Sequence, residues 1–272
     1  MIIHKHIIKF NLCAGLADGV HGHSKAFCTG VHASGPKLQE DIILKQKIKE
    51  ILRGLGADVC GIAHVERFEN APAGFHPADI YNDCKSVVVF ARNMPKGLAY
   101  VSPRIAYAKA TDISLAELDK ISYLASVEIE KLGAVAVPLP SDSPYDYWDE
   151  ENMEGRGLLS MRHAAVLAGI GSMGKNNLII NPKYGNMINI GAVLTNLDLE
   201  SDPFAEELCI AGCRLCLDNC PQKALNGVIV NQKRCREFTY SSNKKGFGVC
   251  NCNQCRIICP RAFGKKSESP AI

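Results

Sequence analysis

From Lys37 onward the apolar residues Ile42, Leu44, Ile48, Ile51, Leu52 and Leu55 recur at helical spacing, and Gly54 and Gly56 supply a stop. A β-like run, Asp58–His64, follows directly, and Ser86–Ala91 is a second, continuously apolar strand. Ser114 and Glu117 have the spacing of a capping box, which predicts a helix from there to about Leu132, ended by Gly133. Ala134–Leu139 is a third strand, and a helix over about Leu158–Ala168 and strands near Leu178–Ile180 and Ile188–Thr195 complete the series. Helices alternating with short apolar strands predict an α/β or α+β core. Residues 1–36 have no sustained period and read as a poorly ordered extension, with His21 and His23 as part of that tail. After Asp202-Pro203 the composition shifts abruptly to cysteine. The expected division is therefore a tail over 1–36, a cofactor- and substrate-binding core over 37–200 and a cysteine-rich domain over 201–272.

Composition narrows the picture without changing it. In 272 residues, 47% hydrophobic and 22% charged is ordinary globular usage, which excludes long disorder, collagen and coiled coil. A net charge of +3 does not suggest a general polyanion binder. No apolar run approaches the roughly 18 residues of a membrane span. Lys5, His6 and Lys9 interrupt the apolar start of the chain, so no signal peptide is read there and a cytoplasmic location is expected. The 13 cysteines matter more. Cys13, Cys28, Cys60 and Cys84 are scattered, whereas the rest fall between Cys209 and Cys259 in an odd-numbered cluster. A long chain with an odd cysteine count suits metal ligation rather than a disulfide scaffold.

The cysteines form two runs, Cys209-x3-Cys213-x2-Cys216-x3-Cys220-Pro221 and Cys252-x2-Cys255-x3-Cys259-Pro260, with Cys250 just ahead of the second. In two-cluster bacterial ferredoxins the cysteine before proline ligates the other cluster. The two runs thus predict two [4Fe-4S] clusters in a ferredoxin-like domain. Cys209, Cys213, Cys216 and Cys259 fill one, and Cys220, Cys252 and Cys255 fill three places of the other. The last place falls to Cys235 or Cys250, between which spacing does not decide. Residues 201–272 also carry 11 Lys+Arg against 6 Asp+Glu. Each oxidised cluster with four thiolates carries roughly −2, which would offset most of that excess. A zinc-bearing nucleic-acid module is the competing reading, with Lys233, Arg234, Lys244 and Lys245 as its basic face.

Gly169-Ile-Gly171-Ser-Met-Gly174 matches GxGxxG and, with Lys175, nearly matches a Walker A loop. Both motifs require a preceding strand, whereas the residues before Gly169 read as a helix, and Asn176 stands where Walker A needs Ser or Thr. Nucleotide hydrolysis is rejected. What remains is a tight loop whose amides, with Lys175 and Asn176, are expected to hold a cofactor tail.

The stretch His163–Ile180, continuing to Gly-Ala-Val-Leu-Thr195, and the order of core then cysteine runs resemble the epoxyqueuosine reductases over roughly residues 40–262. The resemblance implies an iron–sulfur, cobalamin-dependent reductase with a nitroreductase-like core, shared with reductive dehalogenases and cobalamin-processing enzymes. Gly169, Gly171, Gly174, Lys175 and Asn176 are then the expected cofactor-binding loop, and His163 is a further cofactor contact or else a helix-packing histidine; flavin is the alternative to cobalamin. The resemblance also assigns Cys235, within Arg234–Tyr240, as the isolated cluster ligand and leaves Cys250 spare. Two departures stand out. The position of the family's proton-donating aspartate falls on Gly155, while Asp142-Ser143-Pro144 has a similar look about a dozen residues earlier. The chain also ends soon after Pro260, without the helical repeats of longer members, so a different substrate is expected: a small molecule or a modified nucleoside, with tRNA left open.

The missing acid is sought in Ser141–Glu154, which holds six carboxylates, two tyrosines and the only tryptophan. Asp142, Tyr145 and Tyr147 are the catalytic candidates, because a phenol or a desolvated carboxyl can donate a proton to a developing carbanion. The clusters would relay electrons from an external donor to the cofactor. A plain electron-transfer protein serving a partner enzyme is the alternative.

Overall fold

A computed structural model describes residues 36–102, 104–250 and 252–265; the tail and its histidines lie outside the described residues. The architecture is mixed α/β around one four-stranded sheet. In chain order, helix α1 (Pro36–Gly54) is followed by strand β1 (Val59–His64), the short α2 (Pro77–Ile80), β2 (Ser86–Asn93) and the long α3 (Ile105–Glu130). Then come β3 (Ala136–Leu139), a small hairpin of β4 (Tyr147–Asp149) and β5 (Glu154–Arg156), and α4 (Met161–Leu167). The two-residue strands β6 (Ser172–Met173) and β7 (Ile179–Ile180) lead into β8 (Ile188–Thr195). The cysteine-rich part holds α5 (Leu215–Asp218), α6 (Gln232–Thr239), β9 (Tyr240–Ser242), β10 (Gly248–Cys250) and α7 (Gln254–Ile257).

The main sheet has the order β1-β2-β8-β3, every pair antiparallel. Its register sets Val87, Val88 and Val89 opposite Leu194, Val193 and Ala192. Side chains alternate across a strand, so the even and odd positions of β2 feed two separate cores. Val87, Val89 and Ala91 join Ala164, Ala165 and Ala168 of the α4 region on one face. Val88 and Phe90 join Ile48 and Leu52 of α1 and Leu118, Ile121, Ala125 and Ile129 of α3 on the other. Helices covering both faces explain why β2 and β8 read as continuous apolar runs although the sheet is antiparallel.

One expectation is overturned. Ser114 and Glu117 do not cap a helix, because α3 begins nine residues earlier, at Ile105. Its N-terminal cap is Arg104, without a side-chain cap bond, and the Ser114 hydroxyl is buried without a partner. Residues favouring helix upstream of Ser114 extend the element past a locally valid capping pattern.

Asp202 fixes the start of the cysteine-rich part to the core. Its carboxylate meets Lys45 at 3.0 Å and Lys49 at 2.7 Å on α1 and accepts from the Ile62 amide of β1 at 2.9 Å. Burial alone would raise this carboxyl, but the two lysine bonds outweigh it and hold the group below the usual carboxylate range. Arg67 clasps the same place, donating to the carbonyls of Leu167 and Asp202.

Candidate functional site

The glycine-rich loop is the joint on which the cysteines are mounted. Gly169 has φ +71°, and a Cβ there would stand 2.2 Å from the Pro203 carbonyl oxygen. A Cβ on Gly171 would meet the Ile180 carbonyl at 2.4 Å, and one on Gly174 the Asn176 Oδ1 at 2.5 Å. The glycines therefore permit close backbone approach. Lys175 and Asn176 then reach in different directions. Lys175 Nζ donates to the Cys213 carbonyl at 2.9 Å, and Asn176 Nδ2 to the Cys255 carbonyl at 2.9 Å. Both polar side chains are engaged in holding cysteine loops.

The cysteines sort into two groups. Cys209, Cys213, Cys216 and Cys259 line one cavity together with Lys175, Asn176 and Arg261. Burial and the neighbouring thiols of the same group raise Cys216 and Cys259 above the usual thiol value. Cys255 lies within electrostatic reach of Cys252, Cys235 and Cys220, and burial pushes it up to about 12. Cys252 is raised by burial and senses Cys235 and Cys220 as well. The Ala224 amide points at the Cys220 sulfur at 3.3 Å. Cys250 lies at the edge of this group, where burial raises its thiol and it senses Cys252. It packs against Met94, Leu98, Tyr107 and Met187, and its thiol faces the Cys252 carbonyl at 3.7 Å. Among the described residues no three or more His, Cys, Asp or Glu side chains are arranged to hold a metal ion.

The acidic segment folds against the second group. The ring of Tyr145 stacks on Trp148 with centroids 5.9 Å apart, and Arg236 of α6 lies 5.0 Å from the Tyr145 ring centre, 5.2 Å from that of Trp148 and 5.9 Å from that of Tyr240. Arg236 Nη2 donates to the Tyr145 hydroxyl at 3.0 Å, and Gln232 bonds both backbone groups of Gly155 at 3.1 Å. A Cβ on Gly155 would strike the Tyr145 ring at 2.8 Å, so the phenol covers this position. Asp142 lies within electrostatic reach of Arg162 and Tyr240, and Arg162 senses Cys235 too. Crowding around the Tyr240 hydroxyl, then the Asp142 carboxylate, push that phenol up to about 12, so it stays protonated.

His163 follows Arg162 on the same helix. Its Nδ1 pairs with Ser160 Oγ at 2.7 Å, and packing and the Arg162 charge hold the imidazole below its usual value, hence neutral at pH 7. Tyr147 is separate: its ring is 44% exposed and lies 5.2 Å from the Arg156 guanidinium. Arg236 and Tyr240 were missed by sequence reasoning. Their signal is an arginine and a tyrosine one and five residues after Cys235, the first on α6 and the second just past its end.

No protein-family profile matches the chain. Epoxyqueuosine reductase of Bacillus cereus is 27% identical, covering 81% of this chain and 65% of that one. A tetrachloroethene reductive dehalogenase of Desulfitobacterium hafniense is 28% identical over 66% of this chain and 29% of its own. Among solved structures, an epoxyqueuosine reductase with an epoxyqueuosine-modified tRNA-Tyr stem loop superposes with a TM-score of 0.59 at 23% identity, covering 82% of this chain and 66% of that one. A B12-dependent reductive dehalogenase superposes with a TM-score of 0.58 at 17% identity, over 82% of this chain and 35% of that one. At these identities the structural likeness is one of fold. The chain spans 65% of the length of the curated B. cereus relative.

Proposed function

Because the chain is a relative of the epoxyqueuosine reductases, we propose that it is an iron–sulfur reductase that works with a corrinoid. Cys209, Cys213, Cys216 and Cys259 hold one [4Fe-4S] cluster, and Cys220, Cys235, Cys252 and Cys255 hold the other, in a ferredoxin-like arrangement. The observation that carries this reading is the sorting of the thiols into two groups of four that cross over between the two runs. The chemistry of the donors fits as well. Buried thiols that raise one another's pKa ionise together only against a cationic partner, which iron supplies.

For the corrinoid, the fit lies in the face beside the second group. His163 offers a neutral imidazole whose Nδ1 is already held by Ser160, the state in which histidine binds a metal or a cofactor. The glycine-rich loop serves this site from behind, by fixing the cysteine loops through Lys175 and Asn176. A corrinoid, when bound, supplies a cobalt centre for reductive chemistry.

The proton is assigned to Tyr145. Its oxygen accepts from Arg236, which leaves the phenolic O–H to donate elsewhere and stabilises the phenolate left behind. It covers Gly155, where the resemblance would set an aspartate, so a phenol replaces the carboxyl. Asp142 and the protonated Tyr240 lie within electrostatic reach on the same face. Tyr147, turned towards Arg156, is not given a role. The substrate class is a small molecule or a modified nucleoside. The solved relative with a modified tRNA stem loop favours the nucleoside. The electrons come from an external donor, and reduced thiols fit a cytoplasmic protein.

The test is to prepare the full chain without oxygen, reconstitute it, and quantify iron, zinc and cobalt before and after incubation with cobalamin. About eight irons per chain with one retained cobalt are expected. Eight irons without cobalt would overturn the corrinoid and turn the core towards flavin or plain electron transfer, and zinc in place of iron would overturn the whole reading. Tyr145→Phe should retain iron and cobalt and lose turnover by roughly 10²–10⁴-fold.

A further inference from the structure

Among the described residues the buried asparagines are Asn176, Asn181, Asn186 and Asn253. The first two are fully paired. Asn176 donates to Cys255 and accepts from the Leu178 amide, while Asn181 donates to Ile170 and accepts from the amides of Lys183 and Tyr184. Asn186 pairs its Nδ2 with the Arg256 carbonyl. Asn253 differs from all three. It is 4% exposed, and neither its Nδ2 nor its Oδ1 has a hydrogen-bond partner. Its backbone carbonyl is engaged, accepting from the amides of Arg256 and Ile257 at the start of α7. A buried carboxamide with neither end paired is costly unless the site supplies a partner.

The position of Asn253 names that partner. It sits between Cys252 and Cys255, two thiols of the group completed by Cys220 and Cys235. We propose that Asn253 Nδ2 donates a hydrogen bond to a sulfur of the cluster bound by this group and so raises that cluster's reduction potential. The inference rests on the iron–sulfur reading above. The added electron increases the negative charge on the cluster sulfurs, so an N–H donor stabilises the reduced form more than the oxidised one. Asn253 is thus a tuning residue of the second cluster, with no counterpart role at the first.

The experiment is an EPR-monitored redox titration of both clusters in the anaerobic full chain. Asn253→Leu removes the donor at nearly constant size, and Asn253→Gln keeps an amide. The expected result is a fall in midpoint potential of one cluster only in Asn253→Leu, with Asn253→Gln between it and wild type. Cys255→Ser identifies the affected signal by abolishing it. Unchanged potentials in an Asn253→Leu protein with full iron would overturn the proposal, as would an equal shift of both clusters. If Asn253→Leu does not assemble, Asn253→Ala, which removes the amide without adding charge, decides: a lowered potential of the second cluster supports the donor, and an unchanged one overturns it. Absence of any cluster signal in the wild type would overturn the iron–sulfur reading itself, an outcome distinct from an unchanged potential.

Discussion

The sheet and the cysteine-rich part are held by different forces. In the sheet, β2 and β8 run for eight residues each, and Val88, Phe90 and Val193 are fully buried between helices. Beyond Asp202, among the described residues, the helices have four to eight residues and the buried apolar side chains are Leu208, Leu217, Ala224 and Ala262. Val228 and Phe247 remain 81% and 66% exposed. Apolar burial stabilises by roughly 25 cal/mol per Å², so the sheet has ample support and the cysteine-rich part has little. The difference teaches that the first folds by excluding water, whereas the second has little core of its own and leans on a few ties to the first; the iron–sulfur reading proposed above would make bound metal its main support.

The largest effect should come from the metal itself. Stripping iron with a chelator is expected to open residues 205–265 to proteolysis while the sheet survives, as limited digestion with mass spectrometry and circular dichroism will show; simultaneous loss of both would dissolve the distinction. Cys255→Ser should retain about half the iron, whereas Cys250→Ser should retain all of it, measured by iron analysis. On the other side of the comparison, Phe90→Ala should cost about 3–5 kcal/mol, read as a lowered melting transition, with no loss of iron per folded chain. Asp202→Ala lies on the border. It strands Lys45, Lys49 and the Ile62 amide and should cost about 2–4 kcal/mol. Because the folded carboxyl is held below its unfolded value, its contribution is present at neutral pH and lost as pH falls through the folded value. The gap between wild type and variant should therefore shrink in acid, and a gap independent of pH would count against the ion pairs. The smallest effect is expected from Lys175→Met, about 1 kcal/mol, seen as faster iron release from the first cysteine group only.

Legibility followed the same division. Ile188–Thr195 and Ser86–Ala91 were readable because burial on both faces leaves an uninterrupted apolar run, and α1 because its apolar spacing is helical. The start of α3 was not readable, since the Ser114–Glu117 pattern is local and a longer helix overrides it. The β4–β5 hairpin was missed because an exposed ribbon among carboxylates carries no apolar alternation. The spacing of the two cysteine runs led to an expected grouping for seven of the thiols, whereas Cys235, isolated along the chain, entered it only through the resemblance. The Arg236–Tyr145 contact spans 91 residues and leaves no periodic trace, so Arg236 became visible only in the folded chain. Lys175 and Asn176 were recognised as special through the glycines around them. Their use as struts for two loops depends on where those loops come to rest.

Lys175 and Asn176 are consecutive, and each grips a different cysteine group. Their Cα atoms are about 3.8 Å apart, a distance set by the peptide bond. One covalent unit therefore acts as a jig for both groups: a displacement of the cysteine-rich part carries them together rather than apart. With the clusters proposed above in place, this dipeptide would keep the spacing between them fixed in a part of the molecule that has little core of its own.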